Sequence, residues 1–144
     1  MGYFFDTSAF LKRYLKEAGS SDVDALFKEY GTRYISSLGL LESLSTIQRL
    51  HSVAGVVTAD QLRLLRATVD SDIGEGKVTV VDPTPTEIDV AAQLLGHRYL
   101  TAVDALHIAM AKSLGPEVQF VSSDAKLNRV AAEQGLAVFD PTRG

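Results

Sequence analysis

The sequence of 144 residues contains no cysteine and no tryptophan, and it has only four prolines. Without cysteine, the chain can form neither disulfide bonds nor a thiolate metal site. The sequence also lacks any apolar run of the roughly 18 residues that a membrane-spanning helix needs. No secretion signal precedes the first predicted strand, and we therefore expect a cytoplasmic protein.

Positive charge is also scarce, because 14 Lys and Arg stand against 18 Asp and Glu, a formal net charge of -4. An acidic chain is not typical of nucleic-acid-binding proteins, which usually carry a surplus of basic residues. This objection weakens if several acids bind one cation, since a bound metal ion reverses the local charge. The positions of the carboxylates therefore decide which function the sequence favours.

What the chain does contain is ordinary for a globular protein: 46% of its residues are hydrophobic and 22% are charged. Its length predicts a single domain over residues 1–144, which buries roughly two-thirds of the surface of the unfolded chain. No repeat or linker-like run divides it. Short apolar strands alternate with helical patterns, which predicts parallel strand pairing and an α/β/α sandwich with a central parallel sheet.

The strands and the first helices are predicted from local patterns. Thr7 or Ser8 is the expected N-cap of the first helix, which should end at Gly19, a typical helix stop. A short second helix should place Tyr30 on its apolar face. Five runs rich in apolar and β-branched residues are predicted strands: residues 3–5, 33–36, 78–81, 118–121 and 136–139.

Two acids stand where predicted strands end. Asp6 follows the aromatic run 3–5 directly, and Asp124 follows the strand 118–121 after two serines. The carboxyl ends of parallel strands meet at one edge of a sheet, where α/β proteins bind their ligands. Each acid taken singly is explained as well, or better, as the N-cap of the next helix. Two acids on the same edge of the sheet favour a ligand-binding site over two unrelated N-caps.

Two further acids lie within predicted helices. The helix that carries Asp104 is apolar nearly all round, and a carboxylate in such surroundings is costly unless it is paired or binds a metal. The alternative for Asp104 is a capping box with Thr101. Glu42 shares a small polar helix face with Arg49, and a solvated glutamate would look identical. His107 is more readily explained as a core histidine than as a ligand.

Converging acids would have a definite chemical consequence. Two carboxylates about 4 Å apart repel by about 4 kcal/mol at an effective dielectric constant near 20. Such a cluster either takes up protons or binds a cation. Oxygen ligands without cysteine favour Mg²⁺ or Mn²⁺ over Zn²⁺. This reasoning leads to metal-assisted hydrolysis of a phosphodiester bond.

Together these segments resemble the PIN domain, and most closely the VapC-like toxins of bacterial and archaeal toxin–antitoxin modules. The resemblance covers essentially the whole chain and consists of four acids in order on matching elements. It rests on Glu42 in the third helix and on three stretches: FDTSAFLKRY at residues 5–14, TAVDALHIA at residues 101–109 and FVSSDAKL at residues 120–127.

The resemblance implies a Mg²⁺- or Mn²⁺-dependent endoribonuclease whose acidic quartet is Asp6, Glu42, Asp104 and Asp124. Asp6 and Asp104 would be the principal metal ligands, and the other two would complete the site directly or through water. Ser8 matches a hydroxyl position that orients water or a carboxylate. The substrate would be tRNA or another structured RNA, cut to leave a 5′-phosphate and a 3′-hydroxyl. The family is typically homodimeric and is inhibited by a VapB antitoxin whose C-terminal segment covers the acidic groove.

An acidic chain must hold RNA through local basic groups, and Thr101 stands where many relatives carry a basic residue. Each candidate is explained equally well as an ordinary solvated charge. The candidates for phosphate contacts are Lys12, Arg13, Lys16, Arg49, Arg63, Arg66 and Arg98.

Two other functions compete with the nuclease. A binding or regulatory module of the same fold, with little or no turnover, is the alternative from another class. Phosphatases that form an aspartyl phosphate also use an Asp after the first strand. They normally need a second Asp two residues later, where this chain has Ser8.

Overall fold

The computed structural model describes residues 1–96 and 100–143. A five-stranded sheet lies at its centre, and every neighbouring pair of strands is parallel. The order of the strands across the sheet is β3-β2-β1-β4-β5. The strands are β1 (Gly2–Phe5), β2 (Thr32–Ser36), β3 (Thr79–Val81), β4 (Val118–Val121) and β5 (Ala137–Phe139).

Helices connect successive strands, as parallel pairing requires. In the described ranges they are α1 (Thr7–Leu11), α2 (Ser20–Leu26), α3 (Ser37–Ser52), α4 (Ala59–Gly74), α5 (Pro85–Leu94), α6 (Ala102–Ser113) and α7 (Ala125–Glu133). No helix in these ranges has both the length and the apolar character to cross a membrane.

The sheet has a hydrophobic core on each of its faces. Successive side chains of a strand point to opposite faces, and β1 shows this alternation clearly. Phe4 joins the cluster that α5, α6 and α7 cover, where it stacks on Phe120. Tyr3 and Phe5 join the other cluster, with Phe10 of α1 and contributions from α2, α3 and α4. The predicted α/β/α sandwich is therefore confirmed.

The prediction for the first helix is wrong in length and in its cap. Asp6 itself is the N-cap, and α1 ends at Leu11 rather than near Gly19. The backbone N–H groups of Lys12, Arg13 and Tyr14 bond to carbonyls three residues back, so the chain tightens into turns. The side chains of this segment have tertiary partners, such as the 2.8 Å bond from the Tyr14 hydroxyl to Asp72. These contacts override the helical pattern.

Two other helix expectations also need correction. Tyr30, predicted to lie on the apolar face of the second helix, is 95% exposed, because α2 ends four residues earlier at Leu26. The sequence Thr84-Pro85-Thr86-Glu87 predicts a capping box at the start of α5. This box does not form, since the Thr84 hydroxyl donates to the Glu87 carboxylate and makes no cap to the backbone.

The direction in which the sheet grows reverses beside β1. The chain moves from β1 outward to β2 and β3, and then returns to place β4 on the other side of β1. Such a reversal opens a crevice at the carboxyl ends of the two strands that flank it. Asp6 and Asp124 follow these two strands.

Candidate active site

A cavity of about 570 Å³ opens at this crevice. All four acids predicted from the sequence line it, although they are separated by up to 118 residues in the chain. Its walls come from the loop after β1, from α3, from the start of α6 and from the loop after β4. The lining residues are Asp6, Thr7, Ser8, Leu41, Glu42, Ser45, Thr46, Arg49, Asp104 and Asp124.

Asp6 lies at the bottom of the cavity and is only 4% exposed. One carboxylate oxygen accepts hydrogen bonds from the Ser8 hydroxyl at 2.7 Å and from the Ala9 backbone N–H at 2.9 Å. The other accepts from the Ser122 hydroxyl at 2.6 Å. Burial raises the pKa of Asp6 to about 6, and these hydrogen bonds oppose the rise. The negative charge of Asp104 raises this pKa further.

Two serines tie the loops after β1 and β4 together. Ser122 donates to Asp6 while its oxygen accepts the N–H of Asp124 at 3.0 Å. Ser8 makes the same pair of bonds from the other loop: it donates to Asp6 and accepts the N–H of Ser123 at 3.3 Å. Ser122 was not predicted as a site residue. Its signal in the sequence was the pair of hydroxyl residues between the strand and Asp124.

Asp104 lies half-buried in the first turn of α6. The Thr101 hydroxyl accepts the Asp104 N–H at 3.2 Å, so the capping interpretation holds for the backbone of Asp104. Its side chain nevertheless lines the cavity. Burial raises the pKa of Asp104, and the charges of Asp124 and Glu42 raise it too, against the hydrogen bonds of Thr101. The capping role and the cavity position coexist.

Glu42 and Asp124 form the outer wall and are both exposed. The Thr7 hydroxyl donates to Glu42 at 2.7 Å, which links α3 to the start of α1. One oxygen of Asp124 accepts the backbone N–H groups of Lys126 at 3.0 Å and Leu127 at 3.2 Å. Asp124 is therefore the N-cap of α7 and also part of the cavity lining.

The acids share a cavity without forming a closed metal cage. Within residues 1–96 and 100–143, no three His, Cys, Asp or Glu side chains are grouped closely enough to hold one ion together. Mg²⁺ commonly binds through one or two carboxylates and keeps several waters, and a cavity of this volume leaves room for them. The donor chemistry fits such an ion, because every acidic group here offers oxygen.

No ion pair neutralises the inner acids. In the part of the chain that the structure describes, no Lys or Arg forms a salt bridge with Asp6, Glu42 or Asp104. Arg49 lines the same cavity, and its guanidinium contacts the Thr46 hydroxyl at 3.5 Å. The charge of Asp104 therefore raises the pKa of Asp6, and the charges of Asp124 and Glu42 raise that of Asp104, with no ion pair at either inner acid among the described residues.

His107, one turn after Asp104, is a core residue as expected. It is 1% exposed, and its Nε2 lies 2.7 Å from the Ser36 hydroxyl. Burial lowers the pKa of His107 to about 4, so the ring is neutral near pH 7. Its Nδ1 has no hydrogen-bond partner among the described residues.

The fold and the cavity define a class: an α/β protein with an acid-lined pocket at the switch point of a parallel sheet. The sequence profile of the PIN domain matches residues 3–133. This chain belongs to the PIN domain family. No curated protein sequence matches it significantly.

Solved structures of low sequence identity share this fold over nearly the whole chain. FitAcB from Neisseria gonorrhoeae superposes with a TM-score of 0.71 at 16% identity, covering 96% of this chain and 97% of that one. VapBC2 from Rickettsia felis, bound to a DNA fragment from its promoter, superposes with a TM-score of 0.68 at 16% identity. The match covers 97% of this chain and 98% of that one. A toxin–antitoxin complex from Klebsiella pneumoniae superposes with a TM-score of 0.67 at 16% identity, covering 96% of this chain and 97% of that one.

Proposed function

We propose that this protein is a metal-dependent endoribonuclease that hydrolyses RNA phosphodiester bonds, with Mg²⁺ or Mn²⁺ as the cofactor. Members of the PIN family are generally nucleases. The observation that carries the proposal is the convergence of Asp6, Glu42, Asp104 and Asp124 on one cavity at the sheet edge. The cluster raises the pKa of Asp6 and of Asp104, and a divalent cation would stabilise the ionised form of both.

The position of each acid in the cavity indicates its proposed role. Asp6 is buried and fixed by three hydrogen bonds, so it offers a rigid oxygen to a cation. Asp104 is half-buried in the same cavity, and Glu42 and Asp124 are exposed to solvent there. A bound divalent cation would polarise the phosphodiester and promote attack by water. Ser8 and Ser122 hold the Asp6 carboxylate in one orientation.

The biological role follows from the family and from the likeness of fold. We infer a toxin of a VapBC-type toxin–antitoxin pair, which acts in the cytoplasm on tRNA or another structured RNA. A VapB-like antitoxin would inhibit it, and the active form would be a homodimer. Several structures of the same fold are toxin–antitoxin complexes, which supports the antitoxin as a partner.

The nuclease is tested with two substitutions at the bottom of the cavity. Purified protein should cleave a structured RNA in Mg²⁺ or Mn²⁺ and stop when EDTA is added. Asp6→Asn and Asp104→Asn should each lower the rate by about 100-fold or more, since each removes a charge that the site needs. The measurement is gel analysis of end-labelled RNA, with the 5′-phosphate and 3′-hydroxyl ends identified on the products.

Asp70→Asn is the matched control, because Asp70 is an exposed acid of α4 that does not line the cavity. It should leave the cleavage rate unchanged. Cleavage that survives both Asp6→Asn and Asp104→Asn would end the proposal. RNA binding with no cleavage in any metal would instead favour the alternative, a PIN-fold binding module.

A further inference from the structure

One row of polar side chains on α3 leads out of the acidic cavity. Glu42, Ser45, Thr46 and Arg49 recur at the spacing of one helix face, and all four line the cavity. We call these four residues the α3 row. It begins with a carboxylate and ends with a guanidinium, with two hydroxyl groups between them. The row therefore passes from an acidic end of the cavity to a basic end.

The two ends of the α3 row lie well apart along the helix axis. Seven residues of α-helix rise about 10 Å along the axis. In the described ranges Arg49 forms no ion pair with Glu42, and its guanidinium contacts the Thr46 hydroxyl at 3.5 Å. A phosphate bound by Arg49 would lie in the same cavity as the four acids.

The tertiary structure argues against most of the other basic residues that the sequence offered as phosphate contacts. Lys12 is 7% exposed, with its amino group 3.1 Å from Glu17. Arg13 forms ion pairs with Asp24 at 3.2 Å and Asp72 at 3.4 Å. Both cations already have carboxylate partners, so neither is available to an added phosphate without losing one.

The remaining candidates lie away from the cavity or outside the described residues. Arg63 is paired with Asp60 on α4, and Arg66, on the same helix, does not line the cavity either. Lys16 lines two other depressions of the surface. Arg98 lies outside the residues that the structure describes. Among the described lining residues, Arg49 is the one cationic side chain.

We propose that Arg49, with the hydroxyl groups of Ser45 and Thr46, binds a phosphate of the RNA backbone adjacent to the scissile one. Guanidinium groups bind phosphate with two parallel hydrogen bonds, and the hydroxyl groups add neutral donors. Such a subsite would explain how a chain of net charge -4 binds RNA, a polyanion, beside four acids. This inference rests on the proposed function.

The subsite predicts a binding defect that is specific to Arg49. The probe is a fluorescein-labelled single-stranded RNA oligonucleotide, and its anisotropy is measured in Mg²⁺ in an Asp104→Asn background, so that it is not cut. Arg49→Ala should weaken binding by about tenfold, because a charge-assisted phosphate contact is lost. The slope of log K against log salt should fall by about 0.7, the value for one phosphate contact on a single strand.

Arg63→Ala is the matched control, since it removes an exposed arginine that lies outside the cavity. It should leave the affinity and the salt slope unchanged, and Arg49→Lys should fall between Arg49→Ala and the parent. In the protein with Asp104 intact, Arg49→Ala should raise KM more than it lowers kcat. Because Arg49 is exposed, the melting temperature of the Arg49→Ala variant should equal that of the parent.

The outcomes separate this inference from the proposed function. If the intact protein cleaves RNA but Arg49→Ala and Arg63→Ala bind equally well, the subsite is wrong and the nuclease stands. If nothing is cleaved while Arg49→Ala alone weakens binding, the nuclease is wrong, and Arg49 contacts RNA in a binding module that has no scissile phosphate. If the Asp104→Asn protein does not bind the oligonucleotide and the intact protein does not cleave RNA, both are overturned.

Discussion

Asp6 carries two opposing demands in a single side chain. Its burial raises the pKa to about 6, while three hydrogen bonds stabilise the ionised form. The result is a carboxylate that is mostly ionised at pH 7 but at a cost to folding. A pKa about two units above the ordinary value corresponds to about 3 kcal/mol between the two protonation states. A cation in the cavity would remove that cost.

The pH dependence of stability should show this cost in metal-free protein. The folded state binds the Asp6 proton more tightly than the unfolded state, so its contribution is full below about pH 4 and is lost as the pH rises through about 6. Asp6→Asn removes this loss. The variant should therefore gain up to about 3 kcal/mol relative to the parent between pH 4 and pH 7, measured by urea denaturation in EDTA.

His107 makes the comparison with the variant necessary, because it acts in the opposite direction. Its pKa is lowered to about 4, so its contribution is full above about pH 6.5 and is lost as the pH falls through 4. The parent should thus show a nearly flat profile from these two groups. A difference between Asp6→Asn and the parent that does not change with pH would contradict the buried, strained charge.

At the scale of elements, a buried polar contact joins α3 to α6 below the acids. Ser36 caps α3 by accepting the Gly39 N–H at 2.8 Å, and the same hydroxyl lies 2.7 Å from His107 Nε2. The helices approach closely here, since a methyl group at Gly39 would lie 3.3 Å from His107 Cε1. Glu42 is one turn after Gly39, and Asp104 is one turn before His107. The contact therefore sets the separation of two cavity walls.

Removing the shared hydroxyl should destabilise the fold by more than the loss of a cap. Ser36→Ala leaves the α3 N-terminus uncapped and His107 Nε2 unpaired, so we expect a loss of about 2–4 kcal/mol in urea denaturation. Thr58→Ala, which removes the exposed cap of α4, should cost only about 1 kcal/mol. Ser36→Ala combined with His107→Leu should cost less than the sum of the single changes. Strict additivity would show that the contact carries no energy of its own.

For the whole molecule, the site is a product of sheet order. β1 lies between β2 and β4, and the crevice opens at the carboxyl ends of β1 and β4, where the order in which strands are added to the sheet reverses. Elements from the two ends of the chain meet there, and Ser122 bonds to Asp6 across 116 residues. No part of the cavity exists before the sheet is assembled, so a ligand of the cavity binds the folded state alone.

A divalent cation should therefore stabilise the whole protein against heat. At ten times its Kd, Mg²⁺ or Mn²⁺ adds about 1.4 kcal/mol, which raises the Tm of a chain of this size by about 3–6 °C. The measurement is differential scanning calorimetry with and without metal. Asp6→Asn and Asp104→Asn should abolish the shift, whereas Asp70→Asn should retain it. An unchanged Tm at millimolar metal would speak against a common cation site.

Most of the sheet could be predicted from the sequence because its signals are local. The strand Val118–Val121 has the predicted bounds, and the other four differ by one residue at the start. The buried residues 105–111 of α6 follow from a helix that is apolar nearly all round. The position of the acids beside strand ends and helix starts was also visible. Their roles as ligands stay a prediction, as do the homodimer and the single domain over residues 1–144.

What was missed depends on partners that are distant in sequence. The turns after Leu11 arise because Arg13 and Tyr14 reach Asp72, almost 60 residues away. Ser122 gains its role only when β4 lies beside β1. The seven basic candidates were equivalent in the sequence, and only their ion pairs and the cavity lining distinguish Arg49 from the others.

The sequence by itself determined the alternation of strand and helix, the buried character of β1 and the placement of carboxylates at the ends of elements. Each of these features depends only on residues that are neighbours in the chain. Only the tertiary structure decided which hydroxyl groups hold Asp6, how strongly its pKa is raised and which cation faces the cavity. These properties depend on burial and on distances between side chains far apart in the chain, and both arise only when the sheet and its helices pack together.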